Sequence, residues 1–443
     1  MVLRRWALLL VGIAGCSDVW GQSAVLSPYS SFGLGELVVP GYSRNLGMAG
    51  VGIATFDYGN LGRVNPATYG DLVLTTVEVA GYYRRNRLRT ENETESFRTG
   101  NLQGFAYGLK PNRGPTIVFG LSPFSSIGYS VRSTVTAPDS TEFQNISEAQ
   151  GGINEAFFGV GRSYFRGRLG VGVQGSLLFG NTNTFFRTGS VFQTETDLLP
   201  TITREDRVRG FTYRFGLTYS DTLRKGVLGR VGLTVSGGNN LSLSSKTTYT
   251  YFTGSPELGI DTFVVDTPSY LGPGQAREGY FADTTIVLED VPEGQARLPL
   301  QIGFGLGIQK TNHYGIYLDA IYQQWTEFAI RGQNQGLQDA YRISLGGEFT
   351  PNYTSARLLQ AMTYRAGFRA EKTYLRLSGQ DIYQYGMSLG FTLPLRRSFS
   401  SVSVATEYGV RGTRDAGLIQ ESYFQLTVGL SFTERWFVQR KYD

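Results

Sequence analysis

The stretch FQLTVGLSF, residues 424–432, alternates without a break: Phe424, Leu426, Val428, Leu430 and Phe432 are large and apolar, and Gln425, Thr427, Gly429 and Ser431 are small or polar. A period of two marks a strand with two unlike faces. The same pattern runs through Leu298, Leu300, Ile302, Phe304, Leu306 and Ile308, where glycine, proline and glutamine fill the gaps. It returns in Tyr385, Met387, Leu389, Phe391 and Leu393. A soluble sandwich would bury the apolar face against a second sheet, whereas a membrane barrel turns it to lipid and its small polar face to a lumen. Alternation alone does not separate the two.

Connection lengths do. Strands of barrel length fall at about 72–84, 101–110, 115–132, 152–165, 168–188, 203–222, 225–244, 295–310, 314–328, 340–350, 359–372, 380–395, 400–413 and 419–433. Long connections (85–100, 133–151, 189–202, 245–294, 329–339, 373–379 and 414–418) alternate with short ones such as KPNRG, RGR and KTNHY. Short periplasmic turns against longer outer loops characterise outer-membrane barrels, and a Greek-key sandwich has no reason to sort its loops this way. The expected fold is all-β: a transmembrane, antiparallel, up-and-down β-barrel of about 14 strands. An even count returns both ends to the periplasm.

Composition agrees. Of 443 residues, 58 are Gly, 27 Tyr and 28 Phe, and only 17% are charged. One histidine (His313) and one cysteine (Cys16) leave little room for a zinc site, a Cys–His pair or a disulfide framework. The net charge of +5 is scattered, which argues against a nucleic-acid partner. Gly170-Val-Gly-Val-Gln-Gly175 spells GxGxxG but lies inside an alternating strand, so lumen-facing small residues explain it better than a dinucleotide. Asp319 and Glu348 stand alone on strands, and His313 sits in a short turn. No catalytic constellation, cofactor site or metal site is legible, and the chain reads as a non-enzyme.

The first residues read as an export signal, with Arg4 and Arg5 before the apolar run Trp6–Ala14. Cleavage after Gly21 leaves Gln22 first; alternatively Ile13-Ala14-Gly15-Cys16 is a lipobox and Cys16 carries lipid. No later segment approaches 18 consecutive apolar residues. The expected organisation is a signal peptide at 1–21, an N-terminal hatch at 22–71, the barrel at 72–433 and a tail at 434–443. In that tail Trp436 and Phe437 beside Arg435, Arg440 and Lys441 suit a bilayer interface, with fraying as the alternative.

Two short motifs stand out. Asn65-Pro66-Ala67 is built to start a helical turn: Asn65 as N-cap, Pro66 at the first position, Gly70 near the end. Pro123 interrupts the third strand and is followed by Ser125, Ser126 and Gly128. A proline inside a sheet removes a ladder bond and sits at an edge or bulge, so these four residues mark either a lateral gap in the wall or a bulge without one.

The segment SPYSSFGLGELVVPGYSRNLGMAGVGIAT (27–55), NPA at 65–67 and GLSPFS at 120–125 resemble the FadL/TodX-type outer-membrane transporters, in particular their Bacteroidetes members. The resemblance spans the mature chain in architecture and residues 27–72 and 119–128 in motif. It implies an N-terminal hatch plugging the lumen, with Asn65, Pro66 and Ala67 at its turn. It also implies passive uptake of hydrophobic, fatty-acid-like small molecules, with lateral exit near strand three. Two loops depart from the greasy pattern of transporting members: 85–100 is charged and 245–294 is mixed. The alternative is a non-transporting barrel that serves as subunit or docking scaffold of an outer-membrane secretion or assembly complex. The partners implied are outer-membrane lipid, a hydrophobic ligand, and other outer-membrane proteins in the alternative.

Overall fold

The computed structural model describes residues 27–91, 93–136, 142–190, 198–253, 281–395 and 398–436. The signal peptide, Cys16 and the last seven residues of the tail lie outside the described residues. The wall is a closed, 14-stranded antiparallel barrel, as the sequence predicts. Its strands are β1 (Thr75–Arg89), β2 (Thr94–Leu109), β3 (Thr116–Thr136), β4 (Glu142–Tyr164), β5 (Leu169–Ser190) and β6 (Leu198–Arg224). Then come β7 (Val227–Ser236, resuming as Asn240–Thr253) and β8 (Phe281–Arg297, resuming as Leu300–Lys310). The circuit ends with β9 (Tyr314–Gln324), β10 (Ala340–Phe349), β11 (Thr363–Leu377), β12 (Gln380–Pro394), β13 (Ser401–Arg411) and β14 (Gln420–Glu434). Closure is made by β14 on β1, in register from Gln420 opposite Arg89 to Glu434 opposite Thr75.

Burial is inverted relative to a soluble sandwich. On β14, Thr427 and Gln425 are 1% and 8% exposed, whereas Phe424 and Val428 are 46% and 43% exposed. The apolar face therefore looks outward all round the wall, the arrangement a lipid solvent requires.

Several outer connections turn out to be strand. β4 and β6 run 23 and 27 residues, against about 10 needed to cross a bilayer. Residues 85–89, 94–100 and 142–151 belong to the ladder and not to loops. Beyond the bilayer both faces meet water, so the apolar/polar alternation fades while the hydrogen bonds continue. At one level β7 and β8 break together: Gly237 and Gly238 take φ of +82° and +81°, and Leu298 N donates to Asn239 O at 2.8 Å.

Inside the wall lies the N-terminal segment. It consists of a 3-10 turn (Pro28–Ser31), a two-residue strand (Glu36–Leu37), a short helix α1 (Ser43–Leu46) and a second 3-10 turn (Pro66–Asp71). Glycine content makes room for it. A Cβ on Gly172 would stand 2.1 Å from Pro66 O, one on Gly367 would stand 2.4 Å from Met48 C, and one on Gly232 would stand 2.4 Å from Ile53 O. The GxGxxG of β5 is thus explained by the packing of Gly170 and Gly172 under residues 66–67.

Candidate functional site

The turn at 65–71 forms as its sequence dictates. Asn65 Oδ1 accepts from Ala67 N at 3.0 Å, and Asn65 Nδ2 donates to Ile53 O at 2.7 Å. Tyr69, on the same turn, donates through its hydroxyl to Gln174 of β5 at 2.7 Å. Asn65 and Ala67 are fully buried.

Charged groups fasten the segment to the wall. Arg44 on α1 pairs with Asp57 and with Glu348 of β10 (3.1 Å), and Glu348 also holds Arg365 (3.2 Å) and accepts from Tyr317 (2.9 Å). Arg63 pairs with Glu155 of β4 at 2.6 Å, and Glu155 also accepts from Gln174 and Ser176. Arg230 of β7 pairs with Asp71 and donates to Thr55 O at 2.7 Å. Asp319 of β9 accepts from the backbone N–H groups of Gly52 and Ile53 at 2.7 and 3.0 Å. Buried charges of this kind persist only when paired. Asp319 and Glu348, isolated in the sequence, are anchors for a segment some 300 residues away. An intramembrane carboxylate demands a partner, and that was the available signal.

The sequence-predicted residues of strand three lie at a parting of the wall. β2 and β3 pair only from Leu109–Ile117 to Phe105–Leu121, and beyond that point the ladder stops. On its other side β3 stays paired with β4, with a bulge between Pro123 and Ser125. The N-terminal segment occupies the parted edge. Glu36 stands opposite Ser126 and Leu37 opposite Ser125 as an added antiparallel strand, and Val38 N donates to Phe124 O at 3.0 Å. Gly128 donates to Ser30 Oγ at 3.1 Å and accepts from Ser27 N at 2.8 Å. From the opposite lip, Gln103 of β2 donates to Val39 O and Gly41 O at 3.3 Å. The strand Glu36–Leu37 escapes sequence reasoning, because two residues carry no periodicity.

Glu36 is the electrostatic centre of this seam. It pairs with Arg84 at 2.8 Å and Arg411 at 3.2 Å. Burial alone would raise its carboxyl, but the two guanidinium groups hold it down at about 2. Arg411 also pairs with Glu421 at 2.5 Å and donates to Ser27 Oγ at 2.8 Å.

The apolar part of the lumen is filled by the chain itself. Tyr29 and Leu34 pack with Trp325, Phe328 and Leu337 from the β9–β10 connection and with Tyr374 and Ile382 of the wall. Trp325 stacks on Tyr374 with centroids 4.3 Å apart and is fully buried. A cavity of ≈ 170 Å³ has a mixed lining: charged side chains such as Arg63, Arg342 and Glu407 face apolar ones such as Leu37, Val39 and Phe124. His313 sits in the β8–β9 turn, half-buried, with Nδ1 3.2 Å from Thr350 O.

A closed wall of 14 strands, apolar outside and holding the chain's own N-terminal segment, has the fold of the FadL/TodX-type outer-membrane channels. Solved structures share it. The Pseudomonas putida toluene transporter TodX is 15% identical with a TM-score of 0.57, over 90% of this chain and 99% of that one. The Ralstonia pickettii toluene transporter TbuX is 13% identical with a TM-score of 0.55, over 89% and 98%. A Pseudomonas aeruginosa FadL homologue is 11% identical with a TM-score of 0.56, over 90% and 99%. Proteins of curated function give no significant sequence match. The chain belongs to the BamG family, which matches residues 2–443.

Proposed function

We propose that this chain is a membrane-embedded subunit of an outer-membrane assembly complex, built on a transporter-type barrel that residues 27–74 keep shut. The lumen carries this reading. Much of its apolar volume is taken up by Trp325, Phe328, Tyr29 and Leu34, and the ≈ 170 Å³ cavity beside them mixes arginines and glutamates with apolar side chains such as Leu37 and Phe124. Sites for small apolar ligands span roughly 300–1,000 Å³ and are mostly apolar, so this cavity offers a hydrophobic molecule little. The family designation supports an assembly role. So do β3–β6, which stand well above the bilayer as a ledge for partner proteins.

A second reading is favoured by one observation, the parted ladder between β2 and β3. In it the barrel is a channel for hydrophobic molecules, as the toluene transporters TodX and TbuX are for theirs, with exit past Pro123, Ser125, Ser126 and Gly128. Asn65, Pro66 and Ala67 form the turn of the hatch in both readings. Purification of the full chain from membranes in mild detergent separates them. The assembly reading expects outer-membrane proteins in fixed stoichiometry and unchanged entry of a hydrophobic probe when the protein is deleted. Isolation of the barrel alone, with slowed probe entry in the deletion strain, would overturn it.

A further inference from the structure

The outward faces of β1 and β2 change character abruptly at one height. Going toward the outer side, β14 presents Phe432, Leu430, Val428, Leu426 and Phe424, then Ser422 and Gln420. Their neighbours on β1 are Val77, Val79, Gly81 and Tyr83, then Arg85, Arg87 and Arg89. The apolar rows from Phe432 to Phe424 climb about 27 Å along the strand, or about 20 Å of bilayer depth at the usual tilt. Arg85 therefore stands where the hydrocarbon ends and the headgroups begin. On β2, Arg98 lies directly opposite Arg85.

Two like charges directly opposite on neighbouring strands destabilise a sheet. Nothing in the described protein relieves this pair: no carboxylate lies within ion-pair distance of Arg85, Arg87, Arg89 or Arg98 among the described residues. Some other cations of the wall do have partners, Arg297 with Glu327 at 2.7 Å and Lys372 with Asp381 at 2.9 Å. The acid of the hairpin nearest in register, Glu95, stands opposite Leu88 and so projects to the other face. Arg85, Arg87 and Arg98 are exposed. Four guanidinium groups over two adjacent strands suit a polyoxygen anion, which arginine grips through paired N–H donors.

We propose that Arg85, Arg87, Arg89 and Arg98 bind the phosphate of a phosphorylated glycolipid in the outer leaflet, whose acyl chains lie against Tyr83, Leu426 and Phe424. The site rests on the outer-membrane placement and is independent of the choice between assembly subunit and channel. It gives the barrel a fixed lipid contact beside the seam. Binding also relieves the Arg85–Arg98 repulsion.

The test uses the purified full chain in mild detergent, with thermal unfolding and native mass spectrometry as readouts. The probes are bis-phosphorylated lipid A, its dephosphorylated form, and inorganic phosphate. The wild type should bind and be stabilised by the phosphorylated lipid only. Arg85→Gln with Arg98→Gln should weaken that binding on the order of tenfold or more. Arg85→Lys with Arg98→Lys should retain part of it, which guards against a folding artefact, and heat-modifiable gel migration checks the barrel of each variant separately. Equal binding of the dephosphorylated lipid, equal protection by inorganic phosphate, or undiminished binding by the glutamine variant with an intact barrel would each overturn the proposal. Loss of heat-modifiable migration in the wild type would instead strike at the barrel reading itself.

Discussion

Adding a single methyl group at Gly172 should unseat the turn at 65–71 without opening the barrel. The new Cβ would lie 2.1 Å from Pro66 O and 2.2 Å from Pro66 C. Comfortable contact needs roughly 3.5 Å, so the turn must retreat by about 1.4 Å. It has nowhere to go: Asn65 is tied to Ile53, Tyr69 to Gln174, and Asp71 to Arg230. The obstructing atoms are backbone, so no side-chain rotation relieves the clash. Overpacking of this kind costs about 1–3 kcal/mol, which shifts the docked-to-undocked ratio by about 5- to 150-fold. Gly172→Ala should therefore expose residues 61–72 to protease in purified protein and raise single-channel conductance in a planar bilayer. Heat-modifiable migration should persist, because the β4–β5–β6 ladders do not involve the turn. Gly175→Ala is the control: its Cβ would meet only the rim of the Phe211 ring at 3.0 Å, and that ring is free to turn outward. If Gly172→Ala matched the wild type in both assays while Gly175→Ala also did, the packing argument would be refuted.

Two further outcomes are expected. Pro123→Ala with a bulky residue at Gly128 should crowd the lip where Ser27 and Ser30 dock, lowering hydrophobic-probe entry if the seam is an exit and leaving partner recovery intact. An added ladder bond is worth only about 1 kcal/mol, so folding should survive, and equal probe entry would remove the lateral route. The Glu36 contact should also resist acid: its folded carboxyl lies at about 2, below the ordinary 4.5, so its stabilisation is full above that ordinary value and lost as pH falls toward 2. Fluorescence of Trp325, which lies beside Gly33, should report undocking in a Trp436→Phe background, and a transition above pH 5 would contradict the assignment.

What could be read from the sequence follows where the solvent changes. Within the bilayer each strand has lipid on one side and a polar lumen on the other, so Phe424 through Phe432 declare both strand and orientation. Above the bilayer that contrast is gone, and residues 142–151 and 198–202 were legible only as loop although they are strand. Proline leaves a chemical mark, and a bulge in the β3–β4 ladder does lie between Pro123 and Ser125. The strand that pairs with Ser125 and Ser126 was not readable, because Glu36 and Leu37 have no neighbours that repeat their pattern. The anchors were hidden for a different reason. Arg44 and Glu348 meet only after nine strands have closed around them, and no local rule links residues 304 positions apart.

Channel and scaffold ask opposite things of residues 27–38. A channel with an exit at β3 must clear that edge at each passage, withdrawing Glu36 from Arg84 and Arg411 and stripping Ser125, Ser126 and Gly128 of their added partners. Separating a partly buried carboxylate such as Glu36 from its guanidinium partners costs about 1.5–3 kcal/mol, which alone holds the open state to roughly one part in 10 to 150. A ligand could shift that balance only through contacts made in the open state and absent in the closed one. The ≈ 170 Å³ cavity, small and only partly apolar, leaves limited room for such contacts with an apolar molecule. A scaffold has no such requirement. For it, the added strand covers an edge that would otherwise invite stray pairing, and the ion pairs hold the wall in one shape for a partner to recognise. On the assembly reading, the contacts that resist opening would serve instead as a fixed surface.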